Sequence, residues 1–140
     1  MAIKFFFTDV SITLNDRNKL KQFLKQLFND QQARLQSLTY IFCSDQYLLG
    51  INKEFLQHDD YTDIITFTLS EPSMAIVGEI YISIDRIKDN AHIHSVSIKE
   101  ELHRVIFHGA LHLCGYKDKN ALDKQKMTAG EDKYLTLYFK

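Results

Sequence analysis

At 140 residues, with 45% hydrophobic side chains, one Pro and five Gly, the chain suits a single domain over 1–140 and a compact globule rather than a disordered chain. No apolar run approaches the ~20 residues a bilayer span needs, and a net charge of −1 means that any cationic surface for a nucleic acid must be local. Two cysteines, Cys43 and Cys114, make no disulfide framework and read as small buried groups, which suits a reducing cytoplasm.

In chain order, Ile3 to Phe7 reads as a first strand. The apolar stretch ends at Thr8-Asp9 without a small-residue cleavage site, so it is not expected to be a signal peptide. Asn15 is the expected N-cap of an amphipathic helix whose stripe is Leu20, Phe23, Leu24, Leu27 and Phe28. Leu38 to Cys43 reads as a second strand, and Asp45 as the cap of a second helix running to about Phe55 and burying Leu48, Leu49 and Ile51 or Phe55. Ile64 to Leu69 and Ile76 to Ile84 are β-rich runs separated by a loop containing Pro72. Asp85 is the expected cap of a short helix to about Asn90. Ser97 and Glu100 have the spacing of a capping box for a further helix, with Ile98, Leu102, Val105, Ile106, Gly109 and Leu113 as its core stripe. A last helix is expected over about Ala121 to Tyr138. The predicted class is α+β: one four-stranded sheet with about five helices packed on it.

The chemistry concentrates in HGALHLCGYKD, from His108 to Asp118. His108 and His112 are four apart on a predicted helix, which puts them on one face with β-carbons about 5–6 Å apart. Gly115 supplies the conformational freedom to end that helix and turn back, and the return can deliver Asp118 as a third ligand. Three protein ligands with an open position is the arrangement of a catalytic zinc site. The plainer reading, two polar residues at the edge of a buried face, explains neither Gly115 nor Asp118 as well. Gly109 stands where zinc peptidases of the H-E-x-x-H type carry their general base, which disfavours a peptidase.

This stretch resembles the signature of the YbeY family of single-strand-specific, metal-dependent endoribonucleases, also called rRNA maturation factors, which ordinarily reads H-G-x-L-H-L-x-G-Y-D-H. His108, Gly109, Leu111, His112, Leu113, Gly115 and Tyr116 match, while Lys117 and Asp118 stand where the family has Asp and its third His. NKEF from Asn52 and DDYTDIITF ending at Phe67 resemble the family's L-N-x-x-Y-R-x-x-D-x-x-T-D-V-L-S-F block, and GEIYIS from Gly78 its G-D-I-x-I-S strand. The N-terminal third agrees only in its strand–helix–strand pattern. The resemblance implies cleavage of single-stranded RNA in maturation of ribosomal RNA, especially the small-subunit 3′ end, and in ribosome quality control. One zinc per chain would be held by His108, His112 and Asp118.

The family's important Arg falls on Leu56, which cannot hold a phosphate, so the cation must come from elsewhere. Arg104, one turn before His108, and His58 are the further catalytic candidates, with Lys53 also nearby in sequence. An ion pair of Arg104 with Glu100 or Glu101 is the competing reading. Thr62 and Asp63 are site candidates or a locally bonded turn. Glu79 is an orienting acid or a solvent-facing residue, and Lys117, Lys119, Lys124 and Lys126 are a phosphate-binding strip or a solvated helix start. His92, His94 and His103 read as surface or core histidines. The expected activity is zinc-dependent endoribonuclease; the alternative is a ribosome-associated assembly factor that binds RNA or a ribosomal protein around a mainly structural metal.

Overall fold

The computed structural model describes residues 2–57 and 61–140. The chain runs β1 (Ala2–Phe7), α1 (Arg17–Asp30), β2 (Leu35–Cys43), α2 (Asp45–Leu56), β3 (Ile64–Thr68), β4 (Ile76–Ser83), α3 (Ile84–Ile93), α4 (Ile98–Leu113) and α5 (Ala121–Tyr138). Among the described residues the strands form one mixed sheet in the order β1-β2-β4-β3. β1, β2 and β4 are parallel, and β3 runs antiparallel along the outer edge of β4. The two parallel pairings need long crossovers, and α1 supplies the first. The expected four-stranded sheet and five helices are both present.

Side-chain alternation splits the sheet into two faces. Leu38, Tyr40 and Phe42 of β2 and Ile80 and Ile82 of β4 join the main core beneath α1, α4 and α5. Cys43, Leu48 and Ile65 form a smaller cluster with Ile51, Phe67 and Tyr81 on the opposite face, which α2 covers. α1 buries the expected Leu20, Leu24, Leu27 and Phe28. Of the residues expected inside from α2, Leu48 is buried, whereas Phe55 is 60% exposed. Cys114 is only half-buried.

Three of the helix starts fall one or two residues from their expected caps. α1 begins after Asp16, whose φ of 55° makes the turn into the helix without a side-chain cap, so Asn15 is not the N-cap. Ser44 caps α2 by accepting from Tyr47 N at 3.1 Å. Asp45 is otherwise engaged, accepting from Ser83 Oγ at 2.6 Å and Arg86 Nε at 3.0 Å. Ser83 likewise caps α3 through Arg86 N, while Asp85 accepts from Asp45 N at 2.8 Å. Ser97 caps α4 as expected, accepting from Glu100 N at 3.0 Å. Ile98, in that first turn, is 44% exposed and does not reach the core.

Two glycines set how closely α4 lies on the sheet. A β-carbon at Gly109 would come within 2.8 Å of Ile80 Cδ1 and 3.0 Å of Ile64 Cδ1, and one at Gly78 within 2.6 Å of Leu113 Cδ1. The backbone of α4 therefore presses against β3 and β4 at the level of His108 and His112. Gly130 does the same for α5, where a β-carbon would meet Leu111 Cδ1 at 3.0 Å and the Tyr116 ring at 3.2 Å.

Candidate active site

The end of α4 builds the turn that the sequence anticipates. Gly115 has φ of 107°, in the region that favours glycine. Its N–H donates to His112 O at 3.0 Å, and Tyr116 N donates to Leu111 O at 3.0 Å. These paired bonds satisfy the last carbonyls of the helix as a Schellman motif does. Tyr116 packs against the main core, which holds the returning chain in place. Asp118 Oδ2 then lies 3.7 Å from His108 Nε2.

The other side of the His108 ring is held by α5. His108 Nδ1 lies 2.6 Å from Glu131 Oε2. A carboxylate only accepts, so the neutral ring carries its proton on Nδ1 and turns the Nε2 lone pair toward Asp118. Arg104 Nη1 donates to Glu131 Oε1 at 2.9 Å and Nη2 to Asp132 Oδ1 at 2.7 Å. Arg104 thus pairs with two acids of α5 and not with Glu100 or Glu101 as its sequence neighbours suggested.

Glu131 is the site residue that sequence reading missed. It sits on the inward stripe Met127, Gly130, Glu131, Tyr134, Leu135 and Tyr138 and is 8% exposed. An acid on a buried stripe requires a partner, and that was the available signal. Glu101, an expected partner of Arg104, is 4% exposed with His94 Nδ1 at 3.7 Å.

Asp63, just before β3, belongs electrostatically to the same cluster. Burial pushes its carboxyl up from the ordinary value; His108 opposes that, while Glu131 and Asp118 reinforce it. Its carboxylate accepts from Asn90 Nδ2 at 3.4 Å. Thr62 makes the local bond of the turn reading, donating from Oγ1 to Ile64 O at 3.3 Å. Glu79 is half-buried and accepts from Tyr81 Oη at 3.2 Å. It alternates with Gly78 and Ile80, which face α4, and so points to the face covered by α2. Glu79 therefore does not orient His108.

His112 is exposed at the last turn of α4. Among the described residues no three His, Cys, Asp or Glu side chains are already grouped to hold a metal ion. What stands ready is the His108–Asp118 pair. At 3.7 Å the two atoms are close to the roughly 3.4 Å that separates two ligands each about 2.1 Å from a tetrahedral zinc. An exposed side chain changes rotamer without displacing packed atoms, so His112 can complete the set. The donor chemistry fits zinc.

His58, the other catalytic candidate, lies outside the described residues. Leu56 ends α2 at 41% exposure. Lys117, Lys119, Lys124 and Lys126 are all exposed. Lys117 and Lys126 line a depression of about 340 Å³ with Gly115, Tyr116 and Asp123. On the other side of Glu131 a pocket of about 350 Å³ is lined by Glu100, Glu101, Glu131 and Asp132 with Arg104 and His94. A polyanion is repelled from the second and attracted to the first. His92 and His94 are exposed, and His103 is buried and stacked on Tyr138.

Burial, the largest influence on His108, opposes its charge, but the hydrogen bond and charge of Glu131, with Asp63 and Asp118, outweigh it and raise the ring above the ordinary 6.5. The stability this pairing contributes is therefore full below pH 6.5 and is lost as pH rises through the raised value. An NMR titration of metal-free protein is expected to give His108 a midpoint above 6.5. A midpoint at or below the ordinary value would contradict the pairing with Glu131.

A family model described as Endoribonuclease YbeY matches residues 5–138. A protein of that name from Cytophaga hutchinsonii is 49% identical over 136 residues, 97% of this chain and 95% of the relative. Its namesake from Amoebophilus asiaticus is 38% identical over 133 residues, 95% of this chain and 90% of the relative. The solution structure of TM1509 from Thermotoga maritima superposes with a TM-score of 0.67 at 24% identity, covering 98% of this chain and 89% of that one. The last likeness speaks for the fold.

Proposed function

The chain belongs to the YbeY family of endoribonucleases, and on that footing we propose that it cleaves single-stranded RNA with one zinc held by His108, His112 and Asp118. The substrate is ribosomal RNA during maturation, especially the small-subunit 3′ end, and the same cleavage serves ribosome quality control in the cytoplasm. Residues 1–140 work as one domain. No helix among the described residues is long and apolar enough to cross a membrane.

The observation that carries the reading is the pair His108 Nε2 and Asp118 Oδ2, 3.7 Å apart on a turn built by Gly115. Zinc supplies Lewis acidity and lowers the pKa of water toward about 7. The chain's own part is to present three donors around an open position and to keep the His108 proton on Nδ1, away from the ligand atom. Lys117 and Lys126 line the depression that follows the ligand turn, with Gly115 and Tyr116, and carry charge of the sign an RNA backbone needs. With Leu56 where the family has Arg, these lysines are the phosphate contacts we assign.

A second reading, an assembly factor that binds RNA or a ribosomal protein around a structural metal, draws on Leu56 and on the absence of three converged ligands among the described residues. Asp118→Ala separates the two. Loss of single-stranded RNA cleavage with fold and RNA binding intact supports the enzyme. Unfolding, with no cleavage by the unaltered protein, supports the structural metal.

A further inference from the structure

The proposed ligands explain neither the depth of Glu131 nor its company. It lies on α5, one helix away from the HGALHLCGYKD stretch, and reaches His108 because Gly130, the preceding residue, lets α5 settle on Leu111 and Tyr116. One carboxylate oxygen meets His108 Nδ1 at 2.6 Å and the other accepts from Arg104 at 2.9 Å. A side chain with both oxygens engaged and 8% exposed has little rotational freedom.

We propose that Glu131 is the positioning residue of the metal site: it fixes the plane and tautomer of His108 so that Nε2 faces Asp118, with Arg104 bracing the carboxylate from behind. This rests on the metal reading above. The physical reason is that an imidazole binds metal through one nitrogen only when its proton is on the other. A carboxylate on the protonated nitrogen selects that tautomer and makes the free nitrogen a better donor. A purely structural ion pair would need Arg104 and Glu131 but would place no demand on His108. Asp132 supplies the internal control, since it meets the same guanidinium at 2.7 Å.

The test measures zinc affinity by competition with a chromogenic chelator for the unaltered protein, Glu131→Ala, Glu131→Gln and Asp132→Asn, with circular dichroism as the check on folding. Glu131→Ala is expected to weaken zinc binding by about 10–100-fold, with Glu131→Gln in between because its amide oxygen still accepts from Nδ1. Asp132→Asn is expected to stay within about twofold of the unaltered protein. In parallel, nitrogen-15 NMR of the unaltered, zinc-loaded protein is expected to place the His108 proton on Nδ1. That arm decides the matter if the Glu131 variants fail to fold, and a proton on Nε2 overturns the proposal. Zinc affinity unchanged in a folded Glu131→Ala overturns it while leaving the metal site standing. No zinc on the unaltered protein overturns both.

Discussion

His112→Ala is expected to lose about a thousandfold in cleavage of single-stranded RNA, equal to about 4 kcal/mol in the barrier. Its melting temperature is expected to stay within about 2 °C of the unaltered protein. Both expectations follow from where the ring sits. It is exposed on the last turn of α4, so removing it opens no cavity, and surface changes usually stay within about 0.5 kcal/mol. Its proposed work is to complete a set of donors of which His108 and Asp118 already stand 3.7 Å apart, and metal contributes several kcal/mol to phosphoryl chemistry. Single-turnover cleavage of a labelled RNA together with a thermal melt reads the two quantities separately. Retained cleavage would remove His112 from the site. A large fall in melting temperature would show that the ring supports the helix.

Gly109→Val is expected to show the opposite balance, with stability falling by about 2–3 kcal/mol and the melting temperature by roughly 7–10 °C. A single β-carbon at this position already lies 2.8 Å from Ile80 Cδ1 and 3.1 Å from Ile80 Cγ2. Valine adds two methyls to that overlap. Ile80 is wholly buried and cannot swing aside, so α4 must lift from the sheet. Removing a glycine from a helix interior returns under about 1 kcal/mol, too little to offset the strain. His108, the preceding residue, moves with the helix, so cleavage falls even at temperatures where the variant is folded. A melt matching the unaltered protein would mean that α4 does not lie as close to β4 as described.

These two residues also mark how much was legible beforehand. The turn that brings Asp118 back to His108 could be read because its logic is local: a helix ending near His112, a positive-φ glycine at 115 and a carboxylate on the return. The α1 stripe was legible because it follows a period within one segment, and the four strands because each is a short apolar or β-rich run. Helix caps were less so. Asp45 and Asp85 are plausible caps in isolation, yet each is recruited by another element, and Ser44 and Ser83 do the capping. Glu131 was hidden for a deeper reason. Its importance depends on α5 packing against α4, a contact between segments that no single period reveals. Glu79 stood between two readings, orienting acid or solvent-facing residue, although alternation along β4 puts it on the face opposite Ile80, away from α4.

Stoichiometric zinc is the central claim, and elemental mass spectrometry of the purified, untagged protein tests it most directly. About one zinc per chain is expected, lost in His112→Ala, because three donors and an open position make one tetrahedral site. No metal on the unaltered protein, even after zinc is supplied, would contradict the enzyme reading and leave the RNA- or protein-binding factor in its place.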